Sequence, residues 1–347
     1  MSTSADAPAP LTSEEMLTWE WLSSALSLEA SGEVTVSVVE FIRASGIKIR
    51  IEISEGSDVL AQVCVKGFMD KPGMNFSSGS ASLSLSAEPR FYEHLAGLPI
   101  QTAEPLYTGV DANTGHGIVI MKDLKVAGAV FLDVLQEVDV ATVEAALVQL
   151  AALHGSTWGA RAPEMVDWLE PRHESLLTLI DAPTLQAHID AELSAPESLR
   201  DAVRVRAAFE AVVTMPPIGA RSIAHGDAHV GNLFRAADGT CGWVDWQLVH
   251  LGNWAIDVAY VIGSALPPEE RREHERSLVE HYREALARQG IDVPSSEECW
   301  LAYRCGLVYG FYLWVITRGI PAEIRRPMTR RLGTAVEDHD SFALLGL

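Results

Sequence analysis

Two changes of hydrophobic period divide the chain. Residues 1 to about 11 are rich in Ala, Pro and Ser without an apolar period, and read as a disordered tail. Thr12-Ser13-Glu14-Glu15 reads as a helix start, with Trp19, Leu22 and Leu26 at helical spacing behind it. From Val34 to Phe68 the period shortens to two. Val34, Val36 and Val38 alternate, as do Ile47, Ile49, Ile51 and Ile53, and Val63-Cys64-Val65 is a short apolar run. A Gly/Ser-rich linker from Gly73 to Ser86 then leads into a helix that Ser86 caps and whose first turn tolerates Pro89. Ile118-Val119-Ile120-Met121 is a further strand ending in the polar Lys122-Asp123. Beyond Leu124 the period returns to that of a helix: Val143, Ala146, Leu147, Leu150, His154 and Trp158 share one spacing. The segment from Trp300 to Thr317 is apolar nearly all round, which predicts a helix buried between layers. The pattern is α+β: strands with one helix first, helices afterwards.

Composition narrows the class. With 347 residues, 48% hydrophobic and 21% charged, the chain has material for one large domain or two lobes with an ample core. Its net charge of −21 argues against nucleic acid or an anionic membrane as partner, because both need clustered Lys and Arg. A cationic ligand is compatible with that charge but not required by it. Cys64, Cys241, Cys299 and Cys305 form no Cys-Xaa-Xaa-Cys pair and read as reduced core residues. The N-terminus lacks a basic region followed by an apolar run, and the apolar stretch near Gly306 to Ile316 is too short to span a bilayer, so a soluble cytoplasmic protein is expected. No internal repeat is visible.

The chemistry concentrates between His225 and Asp257. His225-Gly226-Asp227-Ala228-His229-Val230-Gly231-Asn232 is followed by Val244-Asp245-Trp246-Gln247. A carboxylate, an amide five residues later and a second carboxylate thirteen residues beyond it are what phosphoryl transfer from ATP needs. One Asp takes the proton of the attacking hydroxyl; the Asn and the second Asp hold the magnesium that neutralises the phosphates.

Protein kinases share the Asp-to-Asn spacing, with Asp-Phe-Gly downstream. Here Asp245-Trp246-Gln247 replaces Asp-Phe-Gly, and Asp257-Val258-Ala259 follows twelve residues on. This variant resembles the aminoglycoside phosphotransferase and ecdysteroid-kinase-like families, which phosphorylate small molecules. The resemblance, covering roughly residues 40 to 260, implies a bilobal protein-kinase-like fold. It divides the chain into a tail and helix (1–30), a β-rich lobe with one helix (31–119) and a larger helical lobe (120–347). It also implies that Lys66 grips the α- and β-phosphates and that Glu88 (with Glu93 as runner-up) orients it. By the same resemblance the turn Arg43-Ala44-Ser45-Gly46 and Lys48 contact phosphates, unless that turn is a plain hairpin. Met121 to Asp123 then form the hinge that receives adenine through backbone groups. Asp227 is implied as the base, Asn232 and Asp245 as magnesium ligands, and His225 and Asp257 as supports of the loop. His229 has no derivable role, and His154 reads as a satisfied core histidine.

No phosphorylatable activation segment follows Asp245, which argues against a protein kinase. The expected activity is therefore ATP- and magnesium-dependent phosphorylation of a hydroxyl on a small molecule, an apolar natural product or steroid-like alcohol. An aminoglycoside acceptor is the alternative. Nine acids between residues 161 and 201 are either an acidic acceptor wall or solvated helix faces, and the aromatic late helix either lines an apolar pocket or fills the core. A catalytically silent nucleotide-binding protein would need a lost base or metal residue, and none is missing. An unrelated α/β hydrolase or metal enzyme using His225, Asp227 and His229 is the reading from another class. The oligomeric state is not legible.

Overall fold

The computed structural model describes residues 2–3, 8–43, 46–67, 80–111, 115–159, 168–169, 173–192, 194–317 and 320–347. Its first lobe is built on β1 (Ser2–Thr3), β2 (Val34–Arg43), β3 (Ile47–Glu55), β4 (Asp58–Gly67), β5 (Pro105–Val110) and β6 (Gly117–Lys122), in the order β1-β5-β6-β4-β3-β2. All neighbours are antiparallel except β1 and β5. The period of two on β3 sends Ile47, Ile49, Ile51 and Ile53 into a core shared with Met16, Leu22 and Tyr107. The opposite face of β3 and β4 carries Lys48 and Lys66, which stand directly across from each other in register.

Three sequence expectations change here. The single helix expected from Thr12 is two, α1 (Ser13–Met16) and α2 (Trp19–Leu26), because Thr18 starts a new cap by accepting from the Trp21 amide. The described part of the tail is not loose: Ser2–Thr3 pairs with Tyr107–Thr108, and Trp21 Nε1 donates to the Pro8 carbonyl. The helix placed after Ser86 begins earlier, as α3 (Ser80–His94), so Ser86 is not its cap and Pro89 lies in its interior. Pro89 removes one amide donor from the helical ladder, and the run from Ser80 to Ala87 holds no other residue that would break it. Residues 73–79 of the expected linker lie outside the described residues.

The second lobe contains β7 (Val130–Phe131), β8 (Ser222–Ala224), β9 (Leu233–Arg235), β10 (Cys241–Trp243) and β11 (His250–Gly252), paired antiparallel as β10-β9-β7 and β11-β8. Around them pack α4 (Val140–Ser156), α5 (His173–Thr178), α6 (Ala182–Glu192), α7 (Ala202–Thr214), α8 (Trp254–Ala265), α9 (Pro268–Ala287), α10 (Ser296–Ile316), α11 (Ala322–Asp338) and α12 (Ser341–Leu344). Every residue of α8 is buried, the polar Asp257 and Ser264 together with their apolar neighbours.

The late helix is longer than its most apolar stretch suggested. At 21 residues, α10 is long and apolar enough to cross a membrane, but it lies buried against α7, α8 and α11 as a core element. Gly306 and Gly310 make that packing possible. A Cβ at Gly306 would stand 2.8 Å from the Ala255 carbonyl oxygen, and one at Gly310 2.6 Å from the Tyr260 ring. The four cysteines are unpaired. In the acidic stretch, Asp181 accepts from the Thr184 amide, Asp201 caps α7 and Asp190 accepts from Gln186. These are caps and surface partners, while Glu164, Asp167 and Glu170 lie outside the described residues.

Candidate active site

The loop from His225 to Asn232 leaves β8 in a turn that needs glycine. Gly226 has φ +79°, and a Cβ there would stand 2.2 Å from the Leu248 carbonyl oxygen. Asp257 on α8 holds the turn from behind, accepting the His225 amide at 2.6 Å and the Gly226 amide at 2.9 Å. His154 on α4 donates Nε2–H to the same carboxylate at 3.1 Å, and its Nδ1 accepts from the Tyr282 hydroxyl at 2.9 Å. Burial alone would raise the Asp257 pKa, but His154 and the amide donors outweigh it and hold the carboxyl below its usual range. The Tyr309 hydroxyl of α10 donates to the Gly226 carbonyl at 2.9 Å. Four helices thus fix one turn.

His225 braces the next step. Its Nδ1 accepts from the Asp227 amide at 3.2 Å, so the proton sits on Nε2 and is donated to the Val244 carbonyl at 3.0 Å. Burial lowers the His225 pKa and keeps the ring neutral. Asn232 Nδ2 donates to the Asp227 carbonyl at 2.9 Å and to its Oδ2 at 3.3 Å, leaving the amide oxygen as the donor atom a hard cation takes. His229 has a place that sequence reasoning missed. Its Nδ1 accepts from the Gly231 amide at 3.0 Å, so Nε2–H faces Asp227 Oδ1 at 3.9 Å. The signal for it was the His-Val-Gly run itself, since a side chain so close to its own following amide caps the short 3₁₀ turn Val230–Asn232. Burial lowers the pKa of His229 and raises that of Asp227. Tyr260 and Trp314 flank the His229 ring with centroids at 5.6 and 5.4 Å.

Across from this loop, Asp245 follows β10 with φ 72° and ψ 67°, a left-handed conformation uncommon for aspartate. The Val244 amide donates to the Asn232 carbonyl at 3.0 Å, which joins the two segments. Lys66 Nζ lies 2.5 Å from Glu88 Oε2 and 2.6 Å from Asp245 Oδ1. Lys48 Nζ lies 3.0 Å from Asp245 Oδ2. Burial opposes charge on these groups. The two lysines nevertheless hold Asp245 far below the carboxylate range, the carboxylates keep Lys66 protonated, and burial raises Glu88. Glu93 is not part of this set; it lies near His94 at 3.7 Å.

A cavity of about 260 Å³ opens in front of these groups. Lys48, Lys66, Glu88 and Asp245 form its charged wall; Ile42, Ala103, Met121, Leu124 and Val244 form an apolar one. Asp123 is at the wall too, but its carboxylate is occupied by Arg50 Nε at 2.7 Å and the Lys125 amide at 2.9 Å. Gly46 is buried where β3 begins, and Ser45 lies outside the described residues. No cluster of three or more His, Cys, Asp or Glu among the described residues could hold a metal by itself. Asp245 and the Asn232 amide oxygen nevertheless fit magnesium, which takes one or two protein oxygens and completes its shell with phosphates and water.

Comparison with known proteins gives a consistent result. A profile of the phosphotransferase enzyme family matches residues 74–300. The fold is similar to a choline kinase from Cryptosporidium parvum Iowa II (TM-score 0.54, 10% identity, 89% of each chain covered). It is also similar to a choline kinase from Streptococcus pneumoniae (TM-score 0.51, 17% identity, 94% of this chain and 99% of that one). A spectinomycin phosphotransferase solved with ADP and spectinomycin is similar over 97% of this chain and 100% of its own, with TM-score 0.50 and 12% identity. No curated protein sequence matches the chain.

Proposed function

The chain belongs to the phosphotransferase enzyme family, and from that premise we propose that it transfers the terminal phosphoryl group of ATP to a hydroxyl of a small molecule. The observation that carries this reading is one arrangement. Lys66 is shared between Glu88 and Asp245 at the wall of the cavity, and Asp227 is held by Asn232 on the adjoining loop. ADP in the related spectinomycin phosphotransferase supports the nucleotide. In the transfer, the acceptor oxygen forms a bond to the γ-phosphorus while the bond to the β,γ-bridging oxygen breaks and ADP leaves. The acceptor's proton passes to an Asp227 carboxylate oxygen. Lys66, fixed by Glu88, holds phosphate oxygens. Asp245 and Asn232 would hold magnesium, whose chemistry is to neutralise the charge on the phosphates. The work of the protein is positioning and charge stabilisation.

The acceptor we propose is an apolar hydroxylated compound. What supports it is the company of Asp227: His229 beside it is packed against the aromatic rings of Tyr260 and Trp314, while Asp181, Asp190 and Asp201 are spent on caps and a surface bond. A cationic acceptor is the second reading, favoured by the net charge of −21 and by the choline and spectinomycin relatives. The test is ADP release with ATP and magnesium over a panel of sterols, macrolides, amino alcohols and aminoglycosides, with Asp227→Ala as control. Acceptor-dependent release that falls ~10²–10⁴-fold in the variant, with ADP affinity kept, is the expected result. A variant retaining more than about a tenth of turnover removes Asp227 as base.

A further inference from the structure

Asp245 is the carboxylate through which the proposed reaction would hold its metal, and a lysine stands against each of its oxygens. Lys66 covers Oδ1 at 2.6 Å and Lys48 covers Oδ2 at 3.0 Å. Cross-strand pairing explains how two ammonium groups reach one carboxylate: Lys48 on β3 and Lys66 on β4 are opposite one another and project from the same face. The two are not equivalent. Lys66 has a second carboxylate, Glu88 at 2.5 Å, and its side chain is only 5% exposed. The Lys48 side chain is 28% exposed, with Asp245 as its salt-bridge partner. It also has a flexible stem and three rotatable donors, so it can leave without dragging the sheet.

Resting on the reading that this cleft binds ATP with magnesium, we propose that Lys48 is a stand-in cation for the metal. It neutralises Asp245 while the cleft is empty and keeps bare metal off Oδ2. It moves to the phosphates when nucleotide and metal enter together. An unpaired buried carboxylate is costly, and Lys66 brings one positive charge to the two carboxylates it touches. A divalent ion arriving alone meets the charge of Lys48 a few ångströms from its ligand and is repelled. Nucleotide phosphates remove that obstacle by offering Lys48 another anion. Metal and nucleotide therefore bind with positive coupling, and Lys48 is a positioning residue that carries the coupling.

The test uses the full chain and Mn²⁺ as probe, with free Mn²⁺ followed by electron paramagnetic resonance, without and with ADP. Lys48→Met keeps the stem and removes the charge. It should bind Mn²⁺ in the absence of nucleotide about tenfold more tightly than wild type, and bind metal-free ADP more weakly. Opposite shifts distinguish displacement from a general loosening of the site, which would weaken both. Lys48→Arg keeps the charge and should follow wild type. Unchanged or weaker Mn²⁺ binding by Lys48→Met overturns the proposal. Should that variant not fold, wild type still decides: ADP must raise its Mn²⁺ affinity, and no such rise overturns the proposal too. Wild type that binds no ADP with or without metal overturns the nucleotide reading itself, and the proposal with it.

Discussion

Burial acts alike on Asp227 and Asp245, and their neighbours separate them. Asp245 has two ammonium groups against it and ends far below the usual carboxylate range. Asp227 faces an amide and a His229 that burial keeps neutral, and its pKa ends above the ordinary aspartate value. One is built to stay charged beside cations, the other to take a proton. A base must start deprotonated, so kcat/KM should fall as pH drops through the raised Asp227 pKa. The acid limb should lie above the ordinary aspartate value; a rate flat down to about pH 4 would count against Asp227 as base. This pair was legible in the sequence because its spacing to Asn232 is local. The Lys48–Asp245 contact joins residues 197 positions apart and depends on strand register, which spacing along the chain does not encode.

Among the elements, α8 matters most to the turn at Gly226, and Asp257 is the reason. It satisfies two loop amides and the His154 ring, all buried. Asp257→Ala would orphan these donors and should cost about 3–5 kcal/mol of stability, visible as a large drop in denaturation midpoint. The lowered carboxyl pKa sets the pH window. Asp257 contributes stability above its unfolded value near 3.8, and that contribution is lost as pH falls through the lower folded pKa. In acid titrations the variant and wild type should therefore converge only at the acid extreme; equal stability at neutral pH would contradict the role. The elements show where the sequence misled. Alternating isoleucines marked β3 plainly, and the apolar run from Trp300 to Ile316 in α10 read as buried. The start of α3 did not show, since the run from Ser80 to Ser86 sets Leu83 and Leu85 two apart among small residues, without a helical period, and the interior Pro89 mimics a first turn.

For the molecule as a whole, a charge of −21 surrounds a cleft whose inner wall presents Lys48 and Lys66, local cations that would draw the proposed nucleotide against the general field. The acceptor question belongs at this scale. An apolar acceptor should show a KM no higher at about 500 mM salt than at about 50 mM, because screening weakens charge pairing and not apolar burial. A severalfold rise would favour a cationic acceptor. One further side chain joins the two lobes. Trp246 is fully buried, stacked on Phe91 of α3 at 3.8 Å and tilted against His225 of the catalytic loop at 4.4 Å, with Nε1–H donated to Thr102 at 2.9 Å. That indole sets the terms for inhibitor chemistry. A compound that displaces it from behind Asp245 would lose an aromatic stack of about 0.5–1.5 kcal/mol and leave a buried N–H unpaired. Compounds selective for this protein should instead extend from the apolar wall at Met121 and Leu124 toward the neighbouring Arg50 and Lys125, which also line the cavity.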